Sequence, residues 1–227
     1  TVHPYDEIVW EKRRAVIFGS RGDIVFEQND VEVPQSWSQT ATDIVCEKYF
    51  SGHLGKKSRE SSAKQLVDRV ADTISGWGFQ YEYFKDKEEG AIFNEELKSI
   101  LINQYAAFNS PIWFNVGVEE HPQCSACFIL AVEDNKESIS QWYRDEMFIF
   151  AGGSGSGLNV SKLRSSKESI RNRGKSSGPV SFMKGADAIA GTIKSGGKTR
   201  RAAKMVVMNV DHPDIREFIT CKWKEEE

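Results

Sequence analysis

The chain of 227 residues has no apolar stretch long enough to span a bilayer. Its opening, TVHPYDEIVWEKRR, lacks the apolar core of a signal peptide, so the cytoplasm is the expected compartment. Neither sign of charge dominates. A formal net charge of -3 argues against nonspecific attraction to membranes or nucleic acid. Cysteine is scarce, with Cys46, Cys124, Cys127 and Cys221 only. Four in a cytosolic chain of this length do not suggest a disulfide framework, so a cysteine that matters is expected to be a ligand or a redox group. No internal repeat is present. What is there is a globular balance, 39% hydrophobic and 28% charged, enough for one large domain or two small ones. The ending, CKWKEEE, just after a strand and a short helix, suggests a fragment or one part of a split enzyme.

Two textures divide the chain near residue 107. RRAVIFGSRGDIVFEQ predicts a hairpin turning at Gly19, Ser20, Arg21 and Gly22. Helical spacing follows three times. Trp37, Ala41, Ile44, Val45 and Tyr49 share one face, with Cys46 as a small packing residue beside it. Ala63, Leu66, Val67, Val70, Ala71 and Ile74 share a second, with Gly76 as the stop. Phe93, Leu97, Ile100, Leu101 and Tyr105 share a third. Residues 1–107 are thus expected to form a hairpin and a mainly helical layer. From 108 to 227 strands and helices alternate. PIWFNVGV, CSACFILAV, GLNVSKL and AKMVVMNV have the look of strands, the last a buried one. ESISQWYRDEMFIFAG and GPVSFMKGADAIAGTIK have the look of helices. A last helix opens at HPDIREFITCKW, with Asp211 as N-cap and Pro213 in its first turn. Alternation of this kind points to an α/β sheet or barrel with functional groups at strand ends. The basic, serine-rich SKLRSSKESIRNRGKSSGP is expected to be a mobile surface loop.

Four stretches could carry chemistry. GTIKSGGKTRRAAK looks like a phosphate-binding P-loop, but a glycine is required at Thr192 and stands at Gly191 instead. The order is also reversed, because this segment leaves a helix and enters a strand. HPQCSACF gathers His121, Cys124 and Cys127. The set is incomplete for structural zinc, and it leads into a strand rather than the helix of a thioredoxin-type pair. Cys127 working with a distant thiol, or two cysteines merely packed at a strand start, remain open. AGGSGSGLNV suits either a linker or a backbone that approaches a ligand closely and turns N–H groups toward it. FNSPIWFN sets Ser110 at a strand entrance, where a hydroxyl could meet a phosphate or simply form a Ser-Pro turn.

FNSPIWFNVG, QCSACFILAVEDNKESI, GGSGSGLNVSKLRSS and GGKTRRAAKMVVMNVDHPDIREFI, in this order, resemble the N-terminal half of the ribonucleotide reductase large chain. The wording VFEQNDVEVPQSWSQTATDIVCEKYFSG, with no nucleotide-binding cone ahead of it, is most similar to the adenosylcobalamin-dependent class II. The resemblance implies that 108–227 is the first part of a ten-stranded α/β barrel. It implies thiyl-radical reduction of ribonucleotides, with Cys127 as one of two reducing thiols that end as a disulfide. Ser110, Ala126, Ser154 and Gly155 would then lie against the substrate. Asp134 would accept the sugar hydroxyl of a dNTP or ATP effector, and Arg164 and Arg171 would face its phosphates. Without the resemblance, Asp134 could be an ordinary strand-end residue. Gly196, Gly197, Lys198, Thr199, Arg200 and Arg201 would form the loop that reports the effector to the substrate. A homodimer, a thioredoxin-type reductant and the rest of the barrel are the implied partners; no resident metal, membrane or nucleic acid is.

The radical cysteine and the second reducing thiol find no counterpart here, and Cys221 suits neither place. The chain alone is therefore expected to have no turnover. The alternatives are a regulatory nucleotide-binding and dimerisation module, a class I large chain with a separate radical subunit, and a zinc domain on His121, Cys124 and Cys127.

Overall fold

The computed structural model describes residues 2–170, 174–193 and 202–226. It forms two compact units, Thr1–Cys124 and Ser125–Glu227, dividing later in the chain than residue 107.

The first unit opens with a single 3-10 turn at Pro4–Glu7, then the antiparallel hairpin of β1 (Trp10–Phe18) and β2 (Ile24–Pro34). Its turn lies where the glycines are, and Gly22 has φ +81. Helix α1 (Gln39–Lys48) is capped by Ser38, whose Oγ accepts from the Ala41 N–H at 3.1 Å. It buries Thr42 and Cys46, while Ile44 faces out. Helix α2 (Ala63–Gln80) starts from a capping box made by Ser62 and Gln65 and buries the apolar stripe from Ala63 to Ala71. It does not stop at Gly76. It runs on through Gly78, where a Cβ would lie 2.3 Å from the Phe84 ring, so the second glycine serves packing rather than termination. Helix α3 (Lys87–Ile102) is capped by Asp86 and buries Leu101 and Ile102; Phe93 and Ile100 are exposed. The core joins Val31 and Val33 of the hairpin to Trp37, Leu66, Val67 and Ile102. Each such aliphatic side chain contributes about 1.5–3 kcal/mol by leaving water.

PIWFN is not a strand. Helix α4 (Ser110–Asn115) begins at Ser110, with Pro111 in its first turn. The fixed φ of proline and its missing N–H suit that position, and they outweigh the strand-like aromatic content. Ser110 therefore opens a helix, within 3.3 Å of the Tyr49 hydroxyl.

The second unit is α/β. Strand β3 (Cys127–Ala131) leads through α5 (Lys136–Ala151) to β4 (Gly155–Asn159). A two-residue pairing of β5 (Ser169–Ile170) with β6 (Gly174–Lys175) precedes α6 (Gly178–Thr192). Then come β7 (Ala203–Val207) and α7 (Ile215–Glu226). Strands β3, β4 and β7 form one parallel sheet with β4 central. Among the described residues the sheet has three strands and does not close into a barrel.

Phe128, Leu130, Leu158 and Val206 turn to one face and pack with Trp142, Ile149 and Phe150 of α5 and Ala186 and Ala190 of α6. The other face is bare. Strand β7 is consequently not buried throughout: Met205 and Val207 are exposed and alternate with half-buried Lys204 and Val206. Helix α7 starts later than expected, at Ile215. Asp211 and Pro213 lie in the turn before it. The serine-rich segment is tied down in part, through Ser165 and Ser166.

Candidate functional site

The parallel register lines residues up in rows across the bare face. Cys127, Gly155 and Ala203 form the first row; Ile129, Gly157 and Met205 the second; Ala131, Asn159 and Val207 the third. Cys127 is exposed and free, Ile129 is 83% exposed and Met205 62%. The central strand carries glycine in the first two rows. The face is thus a trough whose glycine floor is itself buried between exposed side-chain walls, and the Cys127 thiol stands at one end of it.

That geometry gives the glycines of AGGSGSGLNV a different purpose from a free loop. Gly155 and Gly157 lie inside β4. A Cβ on Gly155 would sit 3.0 Å from the Ala203 carbonyl oxygen, and one on Gly157 would sit 3.0 Å from Ile129 Cδ1. The backbone N–H groups leading in are already used. Gly152 donates to Phe148, Gly153 to Phe150, Ser154 to Ile149, and Gly155 to the Ala126 carbonyl at 2.7 Å. The segment is neither a linker nor an open nest of amides. Ser154 is buried, and its hydroxyl donates to the Ser125 carbonyl at 2.5 Å. Cys127, Ala126, Ser154 and Gly155 therefore lie together at the start of the strands.

Behind the first rows lies a buried charge pair that sequence reading missed. Glu146 of α5 is 1% exposed. It accepts from Ser156 Oγ at 2.8 Å and from the Lys204 ammonium at 2.6 Å, tying α5, β4 and β7 together. The Lys204 ammonium also lies 5.6 Å from the Phe150 ring centre. Burial first, and the Glu146 charge second, push the neighbouring Tyr143 hydroxyl above its ordinary pKa. The available signal was a glutamate at helical spacing among Trp142, Ile149 and Phe150.

The carboxyl ends of the strands carry different chemistry. Asp134, just past β3, accepts from Arg164 Nε at 2.5 Å, and the ammonium of Lys162 pairs with Glu133 beside them. The structure thus brings Asp134 and Arg164 together, at the end of the sheet opposite Cys127. Around Arg164 runs a clasp to the turn before α7. Buried Asp214 accepts from Ser165 Oγ at 2.6 Å, the Ser166 N–H at 2.7 Å and Ser166 Oγ at 3.1 Å. Burial alone would raise the Asp214 pKa, but these bonds overcome it and hold the carboxyl below its ordinary value. A cleft of about 420 Å³ borders the clasp, lined by Lys167, Asp214, Arg216 and Thr220 among others.

Ser110 belongs to the first unit. Arg171, Gly196, Gly197, Lys198, Thr199, Arg200 and Arg201 lie outside the described residues. Burial raises the Cys124 thiol above its ordinary pKa, and its Sγ lies 3.6 Å from the Pro122 carbonyl. Among the described residues no three His, Cys, Asp or Glu side chains converge as a metal site requires. No described helix is long and apolar enough to cross a membrane.

Comparison with known proteins matches the two units separately. Residues 125–227 match the family "Ribonucleotide reductase, barrel domain", and residues 11–104 match "Class II vitamin B12-dependent ribonucleotide reductase". The vitamin B12-dependent ribonucleotide reductase of Streptomyces clavuligerus is 56% identical over all of this chain, which covers 24% of that protein. Its namesake in Rhodopirellula baltica is 44% identical over 98% of the chain and 24% of its own length. The vitamin B12-dependent ribonucleoside-diphosphate reductase of Thermoplasma acidophilum is 44% identical over half of the chain and 15% of its own length. The chain spans about a quarter of the length of the curated relatives it matches over its full extent, less than the half that the motifs suggested. With matches to that family in both units and identity of this level throughout, the chain belongs to the ribonucleotide reductases, in the vitamin B12-dependent class II.

Proposed function

We propose that this chain supplies one reducing thiol and the effector-reading groups of a class II ribonucleotide reductase, which converts ribonucleotides to 2'-deoxyribonucleotides. The observation that carries the reading is the place of Cys127: exposed, at the end of a glycine-floored trough, on a bare sheet face. The exposed sulfur can be reached from that face, and glycine in the neighbouring rows keeps side chains from standing between it and a nucleotide sugar.

The chemistry needs two thiols. Together they give two electrons and two protons; the 2' hydroxyl leaves as water, hydrogen takes its place, and the thiols close to a disulfide. Cys127 is one partner, and no described cysteine is assigned as the other. A thioredoxin-type dithiol would then reopen the disulfide. The Ala126, Ser154 and Gly155 cluster holds the strand start that presents the sulfur, and Ser110 would meet a substrate phosphate. Adenosylcobalamin would supply the radical in the complete protein.

Asp134 and Arg164 would receive the sugar hydroxyl and the phosphates of a dNTP or ATP effector, with Arg171 as a further cation. The 194–201 segment would carry the message to the substrate. That segment joins the chain beside the Cys127 row, whereas Asp134 and Arg164 stand a strand length away, roughly 16 Å. An effector that touches both sets is most easily met by two copies of the chain, which supports a homodimer.

The direct test is Cys127→Ser in the complete protein with a thioredoxin-type reductant. Deoxynucleotide formation should fall to background while dNTP binding persists. Turnover near the unsubstituted rate would overturn the assignment.

A further inference from the structure

Arg164 is held from both sides by a part of the chain that takes no part in the site itself. The carbonyl of Leu163, immediately before it, lies 2.9 Å from His212 Nε2. Ser165 and Ser166, immediately after it, give three hydrogen bonds to Asp214. The Lys167 ammonium donates to the Pro213 carbonyl at 2.8 Å. The turn is itself braced, since the Asp214 N–H donates to His212 Nδ1 at 3.1 Å. His212 therefore acts as the tautomer with its proton on Nε2, which donates to Leu163. Asp214, His212 and Ser165 are all buried, with Asp214 also at the edge of the cleft beside the clasp. Arg164 and Lys167 are the exposed side chains of this run, and Lys167 is already engaged by the Pro213 carbonyl. Arg164 Nε goes to Asp134, and among the described residues its two Nη groups make no hydrogen bond, which leaves a planar fork of donors facing solvent.

We propose that the turn of His212, Pro213 and Asp214 is a positioning element, which fixes the backbone on either side of Arg164 so that its free Nη donors are aimed at the phosphate chain of a nucleoside triphosphate. The proposal rests on the effector reading given above. A long cationic side chain on an unheld loop would have to be ordered at each binding event, and bracketing the loop removes that cost beforehand. The turn is remote in sequence and carries no charge toward the ligand, so its contribution is geometric.

The experiment is a double-mutant cycle on the complete protein, read by equilibrium binding of dATP well below the melting temperature. Asp214→Ala should weaken dATP binding by about tenfold or more. Ser165→Ala, which removes one bond to Asp214 and leaves the rest of the clasp, should act in the same direction by less, and it carries the test if Asp214→Ala does not fold. In an Arg164→Ala background neither substitution should weaken binding further. A clasp that only stabilised the fold would lower the melting temperature and leave dATP binding unchanged, or would weaken it equally in both backgrounds; either result overturns the proposal. If Arg164→Ala binds dATP as the unsubstituted protein does, the effector reading itself fails, and the positioning role with it.

Discussion

The two units bury charge for different ends. In the first, Arg69 pairs with Glu60 at 2.7 Å and also donates to the carbonyls of Trp113, Val116 and Tyr49. Arg59 likewise reaches the carbonyls of Cys46, Phe50 and Gly52. Lys98 lies 2.8 Å from both Asp68 and Asp72, and Tyr5 donates to Asp68, which fastens the N-terminal turn. Arg59 and Arg69 close irregular segments onto the core, and Lys98 joins α3 to α2. In the second unit the buried pair of Glu146 and Lys204 braces only the back of the sheet, while the front is left open. A fold built to satisfy itself covers its carbonyls. A fold that takes part in a larger site spends its order on holding one face ready.

The largest effects should follow from breaking the buried pairs. Arg69→Met leaves Glu60 buried without its partner and three carbonyls unmet, at a cost of about 3–5 kcal/mol. Glu146→Leu should cost a similar amount, because Lys204 then keeps an unpaired charge. Hydrogen exchange on the complete protein should localise the first loss to residues 1–124 and the second to residues 125–227. The comparison sharpens in the double variant Glu146→Leu with Lys204→Met, which should recover much of the single-variant loss by replacing the pair with apolar contact. No such recovery is expected when Glu60 is removed along with Arg69, since the carbonyls of the first unit stay unsatisfied. Full recovery there would erase the distinction between the units.

Next in size is the trough floor. Gly155→Val places a side chain against the Ala203 carbonyl, a backbone atom that cannot step aside, and should cost about 1–3 kcal/mol. Gly157→Ala meets only the end of the Ile129 side chain, which stands in open space and can turn away, so its cost should stay under about 1 kcal/mol. Thermal unfolding of the two variants decides the order. Equal losses would mean that the bare face is not free to adjust.

How much of this was legible follows from how local each signal is. The hairpin turn, the stripe of α2 and the helices α5 and α6 are written in neighbouring residues, and reading at short range found them. PIWFN failed because one proline at the right helical position outweighs three strand-like neighbours. The glycine run was legible only in part, because the neighbours that crowd it, the Ala203 carbonyl and the Ile129 side chain, come from other strands. Glu146 left only its helical spacing among apolar residues as a signal, since its partner Lys204 stands 58 residues away. The bracket around Arg164 was hidden likewise: HPD reads as the entrance to a helix, and only the fold brings it to Ser165 and Ser166. The role proposed for Cys127 rests on the order of long motifs, not on its strand, where its alternation with Phe128 does not say which face is open.

The smallest effect separates the units by pH. Cys46, packed in the first core, has its thiol pushed up to about 12, chiefly by burial. An unfolded thiol ionises near 8.5, so above that pH the unfolded chain binds fewer protons than the folded one, and stability falls as the pH rises toward 12. Asp214 works the other way. Its folded pKa lies below the ordinary value near 3.9, because the bonds from Ser165 and Ser166 outweigh the opposing burial. Its contribution is complete above that ordinary value and is lost as the pH falls through the lowered one. Cys46→Ala should therefore flatten the alkaline limb of a stability profile, and Asp214→Asn should flatten the acid limb. With exchange measured at each pH, the alkaline change should appear in residues 1–124 and the acid change in residues 125–227. If both changes spread evenly over the chain, the two units share their stability, and the contrast between a fold that closes on itself and one held open is a matter of surface alone.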